Sequence, residues 1–495
     1  MSNRKLLIRG GDALLFVVCI AASSLIILSN IHEFNFLLMF LPLVFGLCYV
    51  FILAPLRIRT GSKTVVWFAV TEFIRLVFVP CYEALNEYVG FYGFSTRDIS
   101  LLSRSVLLMS YECVFISIFL LIALRNAIKE TDAEGIKVQP LGNDAITLGL
   151  VLVFGFIIYF TVPEVKRSLN FLLLKPDSAK IGELISETRT TLSTGLITFT
   201  YYAFLCGFII ALDYAKRRYD ISGKKLYVFI GVIAGLFTVS IINGESRSLV
   251  IYSLYAILQC LSISFRKYRK IIVRILTIGA IVVLLGMTFY RLFTVYKQSS
   301  YSSALQGTSL RENYVPSFIE MYCLGPQSVA CGIHFSDINQ GNFTADTFFY
   351  DIFRPFMGLN IIAKKISGST SIMMYNSWFY GIEGRDYGIF LQIANQGYCY
   401  FGLFLAPVFA CIFLRIAIYI EKKLKQKKTL FLVFFYNFTY IRLATCVIAG
   451  TMSGYITSIT MALLMCGTIY VFQKLFTSTV RQKAQHEGLE FYSNS

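Results

Sequence analysis

The chain has 495 residues, 56% of them hydrophobic and only 15% charged, which is too apolar for a soluble domain. Apolar runs such as 148–160 do not alternate with polar residues, so the strands of a membrane β-barrel are excluded as well. The formal charge of +17 suits a nucleic-acid partner at first sight, but the Lys and Arg gather in short segments at alternate ends of the apolar runs. That distribution belongs to a polytopic membrane protein facing anionic lipid and argues against nucleic acid.

Uninterrupted apolar runs of the length that crosses a bilayer as helix predict an all-α polytopic integral membrane protein of about twelve transmembrane helices. These lie near 12–29, 35–54, 64–82, 101–124, 145–162, 194–213, 226–242, 248–265, 271–290, 389–420, 429–448 and 453–473. Arg4, Lys5 and Arg9 precede the first run and no small-residue cleavage site follows, so the first helix reads as a retained signal anchor with a cytoplasmic N-terminus. The basic segments 57–63, 125–143, 216–225, 266–270 and 422–428 then fall in the cytoplasm, whereas the turns 30–35 and 450–452 carry no Lys or Arg. Carried to the end, the alternation puts both termini in the cytoplasm.

Four regions follow: a nine-helix membrane region over 1–290, a large extracytoplasmic loop over 291–388, three membrane helices over 389–473 and a cytoplasmic tail over 474–495. The tenth run, 389–420, is long enough to be tilted or partly outside the bilayer. The segment 163–193 has an apolar patch with mixed charges and suits the membrane interface. Long loops in compact proteins usually carry function, which directs attention to 291–388.

Most of the cysteines, such as Cys19, Cys48, Cys113, Cys206 and Cys466, lie in apolar runs, where they act as small hydrophobes. Cys323 and Cys331 fall in the long loop, and a disulfide or two thiols both fit them there. With His334 added, the spacing is not that of a zinc site.

Charges inside spans are costly unless paired or facing water. Glu72 and Arg75 lie one helical turn apart in the third span, Glu112 near the middle of the fourth, and Arg442 in the outer half of the eleventh. Either Glu72 and Arg75 form a structural pair, or Arg75 and Arg442 line a cavity open to the outside and bind an anionic group. The turn Asn243-Gly244-Glu245-Ser246-Arg247-Ser248 sets Arg247 at the membrane boundary, fit for a phosphate or for a snorkelling anchor. The long loop supplies Arg291, Arg311, Arg354 and Arg385, the acids Glu320, Asp337, Asp351, Glu383 and Asp386, and His334, interleaved with aromatics such as Tyr322, Phe348 and Trp378. Aromatic faces with carboxylates and amides suit a sugar.

The stretch Ile242-Asn243-Gly244-Glu245-Ser246-Arg247-Ser248-Leu249 resembles the G-x-R-S turn of bacterial surface-polysaccharide repeat-unit polymerases of the Wzy type. Gly384-Arg385-Asp386-Tyr387-Gly388, continuing through Gln392-Ile393-Ala394-Asn395-Gln396-Gly397-Tyr398-Cys399-Tyr400-Phe401-Gly402-Leu403, is similar to the end of that family's large outer loop. The resemblance implies a GT-C-like polymerase/ligase architecture in the bacterial cytoplasmic (inner) membrane. It implies a glycosyltransferase that joins undecaprenyl-pyrophosphate-linked repeat units into O-antigen or capsule, with a chain-length regulator and a flippase as partners. The related O-antigen ligases carry a His near the end of that loop, where this chain has Gln392, Asn395 and Gln396, so the general base stays open.

For such a reaction the protein must stabilise the leaving pyrophosphate and align the acceptor hydroxyl. The candidate phosphate binders are Arg247, Arg75, Arg442, Arg291, Arg385 and Arg354, and the candidate bases are Asp386, Glu383, Glu320 and His334, unranked. No Asp-x-Asp pair occurs in the outer segments, which points to a metal-independent reaction with no cofactor. A ligase-like glycan transferase and a polysaccharide flippase or transporter are the alternatives.

Overall fold

A computed structural model describes the chain apart from residues 1, 30–33, 87–89, 92–93, 95–97, 128–137, 143, 172–190, 244–246, 296–313, 357–358, 360–362, 364–367, 384–388, 427, 449 and 487–495. The main helices before the long segment are α1 (Gly10–Ser29), α2 (Asn35–Thr60), α3 (Lys63–Leu85), α4 (Ile99–Ala123), α5 (Asp144–Thr161) and α6 (Gly195–Ser222). They are followed by α7 (Lys225–Val239), α8 (Arg247–Ser264) and α9 (Arg269–Val295). Within the long segment come α10 (Tyr314–Cys323), α11 (Pro326–Ile338), α12 (Ala345–Phe353) and α13 (Ser371–Glu383). The chain then forms α14 (Ile393–Leu405), α15 (Val408–Leu424), α16 (Leu430–Ala444) and α17 (Met452–His486).

Among the described residues, seven helices are long and apolar enough to cross a membrane: α1 to α6 and the Met452–Phe472 part of α17. The bent pair α14–α15 makes an eighth if it is one span. The fold is that of an all-α membrane protein. Each remaining expected span meets a helix, but α7 and α16 have 15 residues each. At about 1.5 Å per residue that is roughly 22 Å of a hydrocarbon core of about 30 Å.

Two spans contain a π-helical turn, Tyr49–Leu53 in α2 and Ile74–Phe78 in α3. Each is followed within two residues by a proline, Pro55 and Pro80. Proline has no N–H to donate to the preceding turn and its ring crowds that turn's carbonyl, so the helix widens just before it. Arg75 sits inside the second of these turns.

The tenth expected span is not one helix. α14 and α15 meet at 104°. Pro407 lies in the joint, Gly402 takes a left-handed φ of 70°, and a Cβ on Gly397 would run into the backbone carbonyl of Ala406. The glycines of the stretch that resembles a polymerase loop therefore serve the bend itself.

The chain divides into two units. The first comprises Met1–Gly135, Val295–Lys423 and Tyr440–Thr457; the second comprises Ile136–Thr294, Leu424–Thr439 and Ser458–Ser495. In the second, α5 packs along α6 with Gly155 against Ala203, and two short ribbons tie the helix ends together. Val138–Gln139 pairs with Lys428–Thr429, and Leu169–Phe171 pairs with Ile241–Asn243. Each ribbon joins segments that the charge alternation puts on one side of the membrane.

In the first unit the long segment is folded into the membrane helices. α11 packs along α4 and against α14, and its residues from Pro326 through Ile333 are all buried. Gly332 leaves the space taken by the Asn395 amide, which donates to the Val329 carbonyl at 2.9 Å. The apolar core on this side holds Phe91, Met321, Phe335, Tyr375, Phe379, Ile389 and Leu391.

Candidate functional site

The first unit buries a charge centre. The Arg75 guanidinium, with no exposed surface, pairs with Glu112 at 2.7 Å and with Glu72 at 3.3 Å, both equally enclosed. Its Nε donates to the Leu324 carbonyl at 2.9 Å, and Gln392 Nε2 donates to Glu112 Oε2 at 3.0 Å. Leu324 follows the last turn of α10 with a φ of 52°, a left-handed conformation that costs a non-glycine residue energy and needs support from its surroundings. Arg75 thus closes the C-terminal end of α10, where carbonyls lack helical partners and a cation is favoured. Of the two alternatives, this structure shows the pair with Glu72, and Arg75 does not line an open cavity in it. α10 and α11 fold over it, its guanidinium is paired with two carboxylates and a carbonyl, and as enclosed here it does not reach a pyrophosphate.

Glu320 is displaced from its expected role in the same way. The side chain is fully buried, and its two oxygens accept the backbone N–H of Ser328 at 2.9 Å and of Gln327 at 3.4 Å. These are orphan donors of the first turn of α11, so Glu320 acts as a cap supplied from the preceding helix. Burial pushes the carboxyl up to about 8, against the opposing pull of the two amides and Arg75. A base with its lone pairs engaged and no access to solvent does not meet an acceptor hydroxyl. Gly325 makes the arrangement possible, because a Cβ there would collide with the Glu320 carboxylate.

Asp351 does the same for α13, accepting Ser371 N at 3.0 Å and Ser371 Oγ at 2.5 Å, with Tyr400 Oη donating at 2.6 Å. Gln396 extends this network, donating to Ser371 Oγ at 3.2 Å and accepting Met452 N at 3.0 Å. Gln392, Asn395 and Gln396, which stand where the ligases' His lies in the resemblance, are therefore all buried and used in holding α14 to its neighbours.

The partly exposed chemistry lies on α11 and the start of α4. The His334 ring stands 5.0 Å from Phe94 and 6.1 Å from Trp378, centroid to centroid. One turn further along α11, Asp337 receives a forked pair of hydrogen bonds from Arg104 at 2.6 and 2.9 Å, and Arg104 also donates to Tyr398 Oη at 2.6 Å. Asp98 caps α4 through Ser100 N at 2.8 Å, and hydrogen bonding from Ser100 holds its carboxyl below the usual range.

The other expected site residues are scattered. Arg354, at the end of α12, lies 5.8 Å from the Tyr350 ring and donates to Met373 Sδ at 2.6 Å. Arg442 lies 5.9 Å from the Tyr455 ring, beside Gly454. Arg247 opens α8 and Arg291 lies in α9, both in the second unit, and Glu383 ends α13. The side chains of these three are outside the described residues, as are Arg385 and Asp386 altogether. Cys323 and Cys331 are free thiols, and Tyr375 Oη donates to Cys331 Sγ at 3.4 Å.

Of the ten candidates, Arg75 and Glu320 share one buried centre and His334 faces partly outward. Sequence reasoning passed over Arg104, Tyr398 and Phe94. A single Arg three residues inside an apolar run was the available signal for Arg104, but its partners on α11 and α14 are 233 and 294 residues away. No family model, curated protein or solved structure matches the chain.

Proposed function

We propose that the protein is a twelve-span, GT-C-like membrane glycosyltransferase. In this reading it polymerises undecaprenyl-pyrophosphate-linked repeat units at the outer face of the bacterial cytoplasmic membrane, with 291–388 outside and both termini inside. The observation that carries the reading is the joining of the long segment to the membrane helices. α11 is buried along α4 and α14, and the resembling stretch 392–403 makes that joint. A lipid-linked substrate, whose head group sits at the membrane surface while its tail stays in lipid, requires polar side chains held rigidly at that level.

In the reaction the acceptor hydroxyl attacks the anomeric carbon of the donor sugar. The bond from that carbon to the phosphate oxygen breaks, and the pyrophosphate lipid leaves with the electron pair. The hydroxyl proton passes to a base, and His334 is the described candidate that remains accessible; imidazole is the commonest general base. Arg247, Arg291, Arg354, Arg385 and Arg442 remain the candidates for the pyrophosphate, where a guanidinium gives paired donors to phosphate oxygens.

One observation favours a second reading, a translocator of the same lipid-linked unit: the enclosed Arg75–Glu72–Glu112 centre is a type of feature that marks transport pathways. A size profile of surface and lipid-linked glycan from a strain lacking the gene separates the two. Single repeat units on lipid outside the membrane are expected for loss of a polymerase. Single units trapped inside would overturn it in favour of transport, and a full-length ladder held on lipid would overturn it in favour of ligation.

A further inference from the structure

The Arg104–Asp337 pair joins α4 to α11 and is partly open, at 41% and 31% side-chain exposure. Its forked geometry, 2.6 and 2.9 Å, cancels the charge of both partners while leaving donors and acceptors on the open side. Beside it on the same helix, the His334 ring packs against both Phe94 and Trp378, at 5.0 and 6.1 Å. These two rings are themselves edge-to-face at 5.8 Å, and both are only partly buried against the apolar core. Trp378 is backed by Tyr375, stacked at 5.9 Å, and by Phe335 at 5.4 Å, so its ring is held in place from behind. Rigid, half-open aromatic faces next to a neutral, forked set of donors and acceptors match a molecule with an apolar C–H face and a ring of hydroxyls. They do not match a phosphate, because among the described residues the guanidinium there, that of Arg104, is already neutralised by Asp337.

We infer that Phe94, His334, Trp378, Arg104, Asp337 and Tyr398 form a subsite for a neutral sugar residue, the acceptor end of the glycan, separate from the groups that hold pyrophosphate. The inference rests on the polymerase reading. It adds to it a division of labour: the α11 subsite takes the uncharged sugar, and the pyrophosphate is held by arginines elsewhere. Tyr398 ties the pair to α14, so Arg104 is braced by two helices and pre-organised for hydroxyl recognition. His334, on the same face, is then within the acceptor's surroundings.

The chain has two tryptophans, Trp67 in α3 and Trp378. In full-length Trp67→Phe protein in detergent, the emission therefore reports on Trp378 alone. The probes are the neutral repeat-unit oligosaccharide released from the host's own lipid-linked precursor, and inorganic pyrophosphate. Saturable emission change with the oligosaccharide and none with pyrophosphate is expected. In that background, Phe94→Leu and the paired Arg104→Gln/Asp337→Asn variant should each weaken oligosaccharide binding by about 10-fold, since each removes a stacking or hydrogen-bonding contact. Thermal midpoints equal to the parent's show that these variants are folded. A response to pyrophosphate in place of the oligosaccharide, or unchanged oligosaccharide affinity in both folded variants, overturns the subsite. The strain lacking the gene keeps the two failures apart. An unresponsive Trp378 with glycan arrested at single units outside the membrane sinks the subsite alone, and a normal glycan ladder sinks the polymerase reading beneath it.

Discussion

Arg75→Met tests whether the buried charge centre holds the fold together. The substitution keeps much of the side-chain volume and removes the ion pairs to Glu112 at 2.7 Å and Glu72 at 3.3 Å, together with the bond to the Leu324 carbonyl at 2.9 Å. Removing one partner of a buried ion pair costs about 3–5 kcal/mol, and an orphaned buried carbonyl adds about 1–3 kcal/mol. A loss of roughly 4–8 kcal/mol is comparable with the whole stability of many folded proteins, about 5–15 kcal/mol. The variant should therefore melt far below the parent or fail to accumulate. Arg75→Met/Glu72→Gln/Glu112→Gln removes the stranded charges with little change of shape and should recover more than half of the loss. The chain's own thiols provide the assay. Eight of the 12 cysteines are buried and the other four partly so, so a thiol-reactive dye added during heating in detergent reports unfolding. An Arg75→Met protein that melts within about 2 °C of the parent refutes the reasoning, as does a triple variant no more stable than the single. Lost chain extension with unchanged melting would return Arg75 to the role of a phosphate binder.

The remaining predictions concern the helix ends and the bend. Glu421 accepts Lys63 N at 2.6 Å, Thr64 N at 3.1 Å and the hydroxyls of Ser62 and Thr64 at 2.8 and 2.6 Å. Glu421→Ala should therefore lower stability by about 1–2 kcal/mol, measured as a drop in melting temperature, and Glu421→Gln should restore part of it; an Ala variant indistinguishable from the parent would count against the cap. Gly397→Ala forces a methyl group onto the Ala406 carbonyl, a backbone atom that cannot swing away, so membrane-inserted protein should be lost in fractionation, and normal yield would show that the bend is not needed. Glu320 holds its proton in the fold up to about 8, raised by burial from the ordinary carboxyl value near 4.5. Its contribution to stability is complete below about 4.5 and is lost as pH rises through about 8, so melting temperature should fall over that window and Glu320→Gln should flatten the fall; identical slopes in the two proteins would rule this out.

How much of this was legible in the sequence depended on the range of the interaction. Hydropathy placed every described membrane helix, because burial in lipid acts on each run of side chains separately. The π-turns before the prolines at 55 and 80 are a local steric effect that the hydropathy pattern does not register. For α14, Gly397 and Gly402 stood in view within the run 389–420, yet a composition that suits one long helix could not reveal that Gly397 admits the Ala406 carbonyl across a sharp joint.

By itself the sequence determined the membrane class, the positions of the seven helices apolar and long enough to span and the alternation of charge, since each follows from neighbours in the chain. It also offered Glu72 and Arg75 as a pair, separated by one turn. Only the tertiary structure decided that Glu112 shares that arginine, and that Glu320, Asp351 and Glu421 cap α11, α13 and α3 from other helices. Local capping patterns cannot register such partners, which lie 8, 20 and 358 residues from the amides they meet. A buried carboxylate needs donors wherever they are close in space, and a helix N-terminus presents unpaired N–H groups whether or not its own flank supplies an acceptor. Packing brought the two together, and in doing so it turned two residues that looked reactive, Arg75 and Glu320, into supports.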